Sequence, residues 1–85
     1  MNKPEPQITM YTRPWCGSVM VVKRWLDRKG IPYTEIDITR DKKAAGHVEA
    51  LNGGNQSVPT ILLDGKHVAT EPKAAELEEI FGSFT

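Results

Sequence analysis

The sequence predicts an α/β fold: a four-stranded mixed sheet with helices on both faces, in the order β-α-β-α-β-β-α. Three observations carry this expectation. Short runs such as residues 7–11 and 33–38 alternate apolar and polar residues, the period of a strand. Between such runs, apolar residues recur at helical spacing. Asp64 and Gly65 separate two further apolar runs and are a favoured pair for a two-residue hairpin turn.

Each element has its own signal. "QITMY" at 7–11 is the first strand, and "TRPWCG" interrupts it. A helix is expected over 18–29, with Val19, Val22, Trp25 and Leu26 on its inner face. Arg24, Asp27 and Arg28 lie on its remaining face. "KGIP" stops it, with Gly30 as the C-terminal cap. "YTEIDI" at 33–38 is the second strand. Asp41 caps a second helix from Lys42 to about Leu51, whose stripe is Ala44, Val48 and Leu51. Gly46 lowers that helix's propensity. "NGGNQS" is loop chemistry, "PTILL" a short apolar strand and "KHVA" its return strand. Pro72 suits the first turn of a third helix with Ala74, Leu77, Ile80 and Phe81 facing inward. The helix between the first two strands makes them parallel with a right-handed crossover.

Composition narrows the function. The 85 residues suffice for one small domain: a polar, proline-rich, disordered lead-in at 1–6, then a single domain at 7–85. Eleven Lys and Arg balance eleven Asp and Glu, so no global basic field exists to bind nucleic acid. No apolar run approaches the roughly 20 residues that span a membrane, and "MNKPEPQ" lacks a signal peptide's apolar stretch. The cytoplasm, where thiols stay reduced, is the expected location. One cysteine allows no internal disulfide. His47 and His67 lie far apart, are expected on the surface, and make a poor zinc set with a single cysteine, so no metal site is expected.

Cys16 is the chemical focus. It stands where a strand gives way to a helix, and a helix N-terminus offers unpaired N–H groups and a partial positive charge to a thiolate. Such placement activates cysteines. Arg13 adds positive potential nearby, and Gly17 lets a partner's backbone approach. A lone cysteine can also be a small buried hydrophobe. Trp15 is either a core residue or an exposed platform for substrate.

"YTRPWCGSV" after a strand, and "SVPT" before a hairpin, resemble the glutaredoxin group of the thioredoxin-fold superfamily over residues 7–81. The mycoredoxin branch is the most similar: "YTRPWCG", "NGGNQSVPT" and "EPKAAE" match its active-site entry, its VPT segment and the start of its last helix. The resemblance implies a thioredoxin/glutaredoxin fold and a thiol–disulfide oxidoreductase with Cys16 as nucleophile. It implies a cis Val58–Pro59 bond facing the thiol. A rim of Trp15, Val58, Pro59, Thr70 and Glu71 would bind a low-molecular-weight thiol, a co-substrate and not a tightly bound cofactor. The partners implied are S-thiolated proteins and that thiol, with a monomer expected.

Two departures refine this. Most relatives carry a second cysteine where this chain has Val19, so only a monothiol route remains. "CGSV" shares only Cys and Gly with the "CGFS" relatives that bind iron–sulfur clusters, so a cluster-binding or non-catalytic module is the rival reading. The chain also has Ala69-Thr70-Glu71-Pro72 where glutathione-using relatives have a Gly-Gly-x-Asp turn. Glu71 either complements the helix dipole or favours a thiol with a free amine, such as bacillithiol. Mycothiol follows from the branch, and glutathione is the third option.

Overall fold

The computed structural model describes residues 6–84, so the expected lead-in lies outside the described residues apart from Pro6. Four strands, β1 (Ile8–Thr12), β2 (Thr34–Asp37), β3 (Thr60–Leu63) and β4 (Lys66–Thr70), form one sheet in the order β2-β1-β3-β4. β1 runs parallel to β2 and antiparallel to β3, and β3 runs antiparallel to β4. Helix α1 (Gly17–Lys29) links β1 to β2, α2 (Lys42–Leu51) links β2 to β3, and α3 (Ala74–Phe81) follows β4.

The period of two sorts the strand residues between two cores. Ile8, Met10 and Ile61 point to one face, against Leu26 of α1 and Leu77 and Phe81 of α3. Tyr11 and Leu62 point to the other, against Ala44 and Val48 of α2. The expected helices on both faces are therefore present. Met10, Leu26, Ile61, Leu77 and Phe81 are fully buried, each contributing about 1.5–3 kcal/mol relative to exposure.

Local chemistry sets most boundaries. Gly30 ends α1 in the left-handed region at φ 71°, and its N–H donates to the Asp27 carbonyl. Asp41 caps α2 by accepting the Ala44 N–H at 3.0 Å. Asp64 and Gly65 both have positive φ, 50° and 84°, as the tightest hairpin turn requires. The strands shift slightly from their expected ends. β1 covers 8–12 and not 7–11, and β2 is trimmed to four residues.

The third helix differs from expectation. Pro72 lies before the helix, because Lys73 is still extended at φ −88° and ψ 167° and only Ala74 turns helical. Glu76 fixes that start by accepting the Lys73 N–H at 3.4 Å. Ala74, now the first helical residue, is exposed, and Leu77 and Phe81 carry the inner face with Ile80 half-buried.

Two outcomes follow from these contacts. Asp41→Ala should lower unfolding free energy by about 1 kcal/mol in a urea titration. Burial first, and then the Asp27 carboxylate with its hydrogen bond, pushes the Tyr33 phenol up to about 12. Stability from this phenol is complete below its unfolded value of about 10 and is lost as pH rises through about 12. Ultraviolet titration should show the Tyr33 midpoint falling in Asp27→Asn while staying above 10, because burial remains.

Candidate functional site

Three segments converge at the sheet end where β1 stops. The first is the turn from β1 into α1. Thr12 is buried and its hydroxyl donates to Glu35 Oε2 at 3.0 Å, which holds the strand end. Trp15 then takes φ 61°, a strained conformation for a bulky residue that costs about 1–3 kcal/mol. Its side chain is fully exposed, so of the two readings the core one is excluded.

Cys16 is the N-cap of α1, with φ −105° and ψ 117°. Its carbonyl accepts the Met20 N–H at 3.1 Å, while its side chain makes no capping hydrogen bond. The residue is half-buried and packs against the cluster containing Tyr11, Val19 and Val58. No acidic residue lies in the first turn of α1, so no carboxylate competes for the positive helix end. An added Cβ at Gly17 would meet nothing within 4 Å, so the approach beside the thiol is open.

The second segment is the loop leading to Val58 and Pro59. The Val58–Pro59 bond is cis, as the resemblance implies. Both residues are buried. The backbone N–H and carbonyl of Val58 have no hydrogen-bond partner among the described residues. The third segment is Thr70 and Glu71. Glu71 is exposed at φ 49°, and its N–H donates to the Pro59 carbonyl at 2.8 Å. Cys16, Val58, Pro59 and Glu71 thus sit on neighbouring structure.

Two of the expected site residues have partners of their own. Arg13 Nη2 donates to the Gln56 carbonyl at 3.4 Å and to its side-chain Oε1 at 3.2 Å, pinning the loop to the β1–α1 turn. Thr70 donates its hydroxyl proton to Asn52 Oδ1 at 2.7 Å. His67 Nε2 lies 2.7 Å from the same Thr70 oxygen and must therefore donate to it. Asn52 Nδ2 donates to Thr60 Oγ1 at 2.9 Å and to the Val48 carbonyl at 3.0 Å. Thr60 completes the chain by donating to the Ser57 carbonyl at 2.7 Å. Asn52 is thus the hub joining β4, α2, β3 and the loop before the cis bond.

Asn52, Gln56 and Ser57 were legible in the sequence only as turn formers. Their partners lie on other elements, which no local pattern reports. Both histidines are exposed as expected, His47 accepting or donating at 2.9 Å with the Tyr11 hydroxyl. That phenol is pushed up by burial and then by Asp41.

The glutaredoxin family model matches residues 8–68. The chain belongs to the glutaredoxin family. Glutaredoxins are generally thiol–disulfide oxidoreductases. This glutaredoxin is 39% identical over 71 residues to Mycoredoxin 1 of Corynebacterium glutamicum, covering 82% of this chain and 86% of that protein. The crystal structure of the thioredoxin-like protein BC3987 matches with a TM-score of 0.71 at 29% identity, over 86% of this chain and 97% of that one. The solution structure of glutaredoxin from Brucella melitensis matches with a TM-score of 0.70 at 28% identity, over 87% and 79%. The fold is therefore thioredoxin-like. Among the described residues no helix is long and apolar enough to cross a membrane.

If Asn52 is the hub, Asn52→Ala should cost about 1–3 kcal/mol, because it strands buried partners. His67→Ala, at the exposed end, should cost less. Urea midpoints of the two variants check this ordering, and hydrogen exchange at the Glu71 amide should quicken in Asn52→Ala.

Proposed function

We propose that this glutaredoxin reduces mixed disulfides between proteins and a low-molecular-weight thiol, by a monothiol route with Cys16 as the nucleophile. The observation that carries this reading is the thiol at the N-cap of α1, half-buried and free of a capping bond, with buried Val19 where a second cysteine would stand.

The chemistry is two thiol–disulfide exchanges. The Cys16 thiolate attacks the small thiol's sulfur in the mixed disulfide. The bond to the protein breaks, and the protein leaves as a thiolate that takes a proton from water. Cys16 now carries the small thiol. A second small-thiol molecule, as its thiolate, attacks that bound sulfur. The small-thiol disulfide forms and the Cys16 thiolate is released, ready for another cycle.

The surrounding residues have separate tasks in this scheme. First-turn N–H groups of α1 and the Arg13 guanidinium favour negative charge on sulfur. The unpartnered backbone of Val58 pairs with the amide of the bound thiol in strand-addition style. Pro59 and Thr70 shape the rim, Thr70 through Asn52, and Trp15 covers it. Gly17 leaves room for the incoming disulfide. Glu71 opposes a carboxylate and favours an amine, which suits bacillithiol. The likeness to a protein named mycoredoxin favours mycothiol, and glutathione is the third candidate. The protein acts as a cytoplasmic monomer on S-thiolated proteins.

The iron–sulfur alternative meets a shortage of ligands. Such clusters take four cysteine thiolates, and this chain has one cysteine, so two copies supply half the set.

Three measurements test the reading. Turnover of one mixed-disulfide protein with each of the three thiols should differ, and Glu71→Gln should narrow the difference. Equal rates before and after substitution contradict a role for Glu71 in selection. Cys16→Ser should abolish turnover while leaving the unfolding midpoint close to that of the parent, since the side chain caps nothing. Val19→Cys should oxidise to an internal disulfide, seen as loss of a hydrogen pair by mass spectrometry, because both sulfurs then lie in the first turn of α1.

A further inference from the structure

Resting on that reading of Cys16, we propose that the outer face of α1 docks the protein part of the mixed disulfide. We infer its chemistry as an acidic segment with an apolar residue close to the modified cysteine. The small thiol occupies the rim formed by Val58, Pro59 and Glu71, so the protein part has the α1 side of Cys16 open to it.

That side is built in order along the helix. Val19, Val22, Trp25 and Leu26 face the core. On the opposite face, Met20, Arg24 and Arg28 follow Cys16 at intervals of four residues, which stack as one ridge. Trp15, Met20 and Val21 are the exposed large hydrophobics among the described residues, with Met20 at 57 % and Val21 at 52 %. All three fall within residues 15–21, about the start of α1, so apolar exposure is concentrated at that end of the helix. Beyond them, Met20, Lys23, Arg24, Asp27 and Arg28 form an open, shallow patch on the helix surface.

Charge on this patch points to the partner. Lys23 is paired with Glu35 at 2.9 Å, and Asp27 is the one carboxylate lining the patch, against two arginines. Arg24 and Arg28 are exposed and have no ion-pair partner among the described residues. Two guanidinium groups one turn apart match carboxylates better than any other peptide group. Met20, Arg24 and Arg28 lie about 6, 12 and 18 Å along the axis from Cys16, at about 1.5 Å per residue. An extended peptide advances about 3.3 Å per residue. The apolar residue therefore sits about two residues from the modified cysteine, and the acids about four and six residues away.

The test separates docking from catalysis. Labelled peptides carry one cysteine as a mixed disulfide, with leucine about two residues to either side and glutamate, glutamine or lysine about four and six residues to either side. Binding to the Cys16→Ser protein, read by fluorescence anisotropy, involves no exchange. The glutamate peptide should bind tightest. Its affinity should fall about tenfold in Arg24→Glu/Arg28→Glu and about threefold in Arg24→Gln/Arg28→Gln, and it should weaken with added salt. The lysine peptide should gain affinity for the charge-reversed variant. Met20→Ser should weaken binding of peptides with leucine but not of those with serine in its place. Peptides that bind alike, or glutamate binding that survives charge reversal, overturn the proposal. In parallel, a small mixed disulfide without any peptide should be turned over equally by the parent and by Arg24→Glu/Arg28→Glu, which also shows that the variant is folded. If the parent fails on that small disulfide, the catalytic reading falls while the anisotropy result still decides docking.

Discussion

β1 is the strand on which the rest of the molecule depends. It is paired on both edges, with β2 and with β3, and both cores are built on its alternating side chains. Its C-terminal end is therefore fixed in position, and Thr12 secures it further through Glu35. From that end the chain must turn sharply into α1, whose inner face is committed to the core. Cys16 falls at the one residue where extended backbone becomes helix. The residue packs half-buried against Tyr11, Val19 and Val58 at the end of the helix whose first N–H groups have no partner within it.

The opposite wall of the site is made by a different kind of interaction. β3 begins at Thr60, directly after the cis Val58–Pro59 unit, and the loop before that unit is exposed over residues 53–56. Side-chain hydrogen bonds hold it instead. Asn52 connects Thr60 and Thr70, and the Arg13–Gln56 contact ties the loop back to the turn that carries Cys16. The Glu71 N–H on the Pro59 carbonyl adds β4 to the same assembly. Apolar packing thus holds both Cys16 and Val58, and polar bonding adds the loop and the end of β4 around them.

This division explains what could be read from the sequence. Elements set by local chemistry were legible: Gly30 as a cap, Asp41 as a cap, Asp64 and Gly65 as a turn, and the two faces of α1. The helix junction at Cys16 was legible for the same reason. Trp15 was not: the local sequence allowed both a core and an exposed position, and no neighbouring residue signals its positive φ. Pro72 and Ala74 misled because Glu76, three residues past the cap, chooses the helix start. Asn52 and Gln56 carried no readable role, since their partners are 18 and 43 residues distant in the chain. The cis bond came from the likeness to glutaredoxins and not from spacing, which leaves proline isomers open.

Val19, where the proposed route would otherwise have a second thiol, has the sharpest consequence. Val19 is buried and Cys16 is the single cysteine of the chain, so in the proposed route an external thiol must release whatever Cys16 captures. The direct measurement is intact mass spectrometry after a single turnover with one S-thiolated protein and no free thiol. Cys16 should carry the small thiol, and the substrate protein should be released in its reduced form. Cys16 joined instead to the substrate protein, with the small thiol set free, would contradict the proposed route.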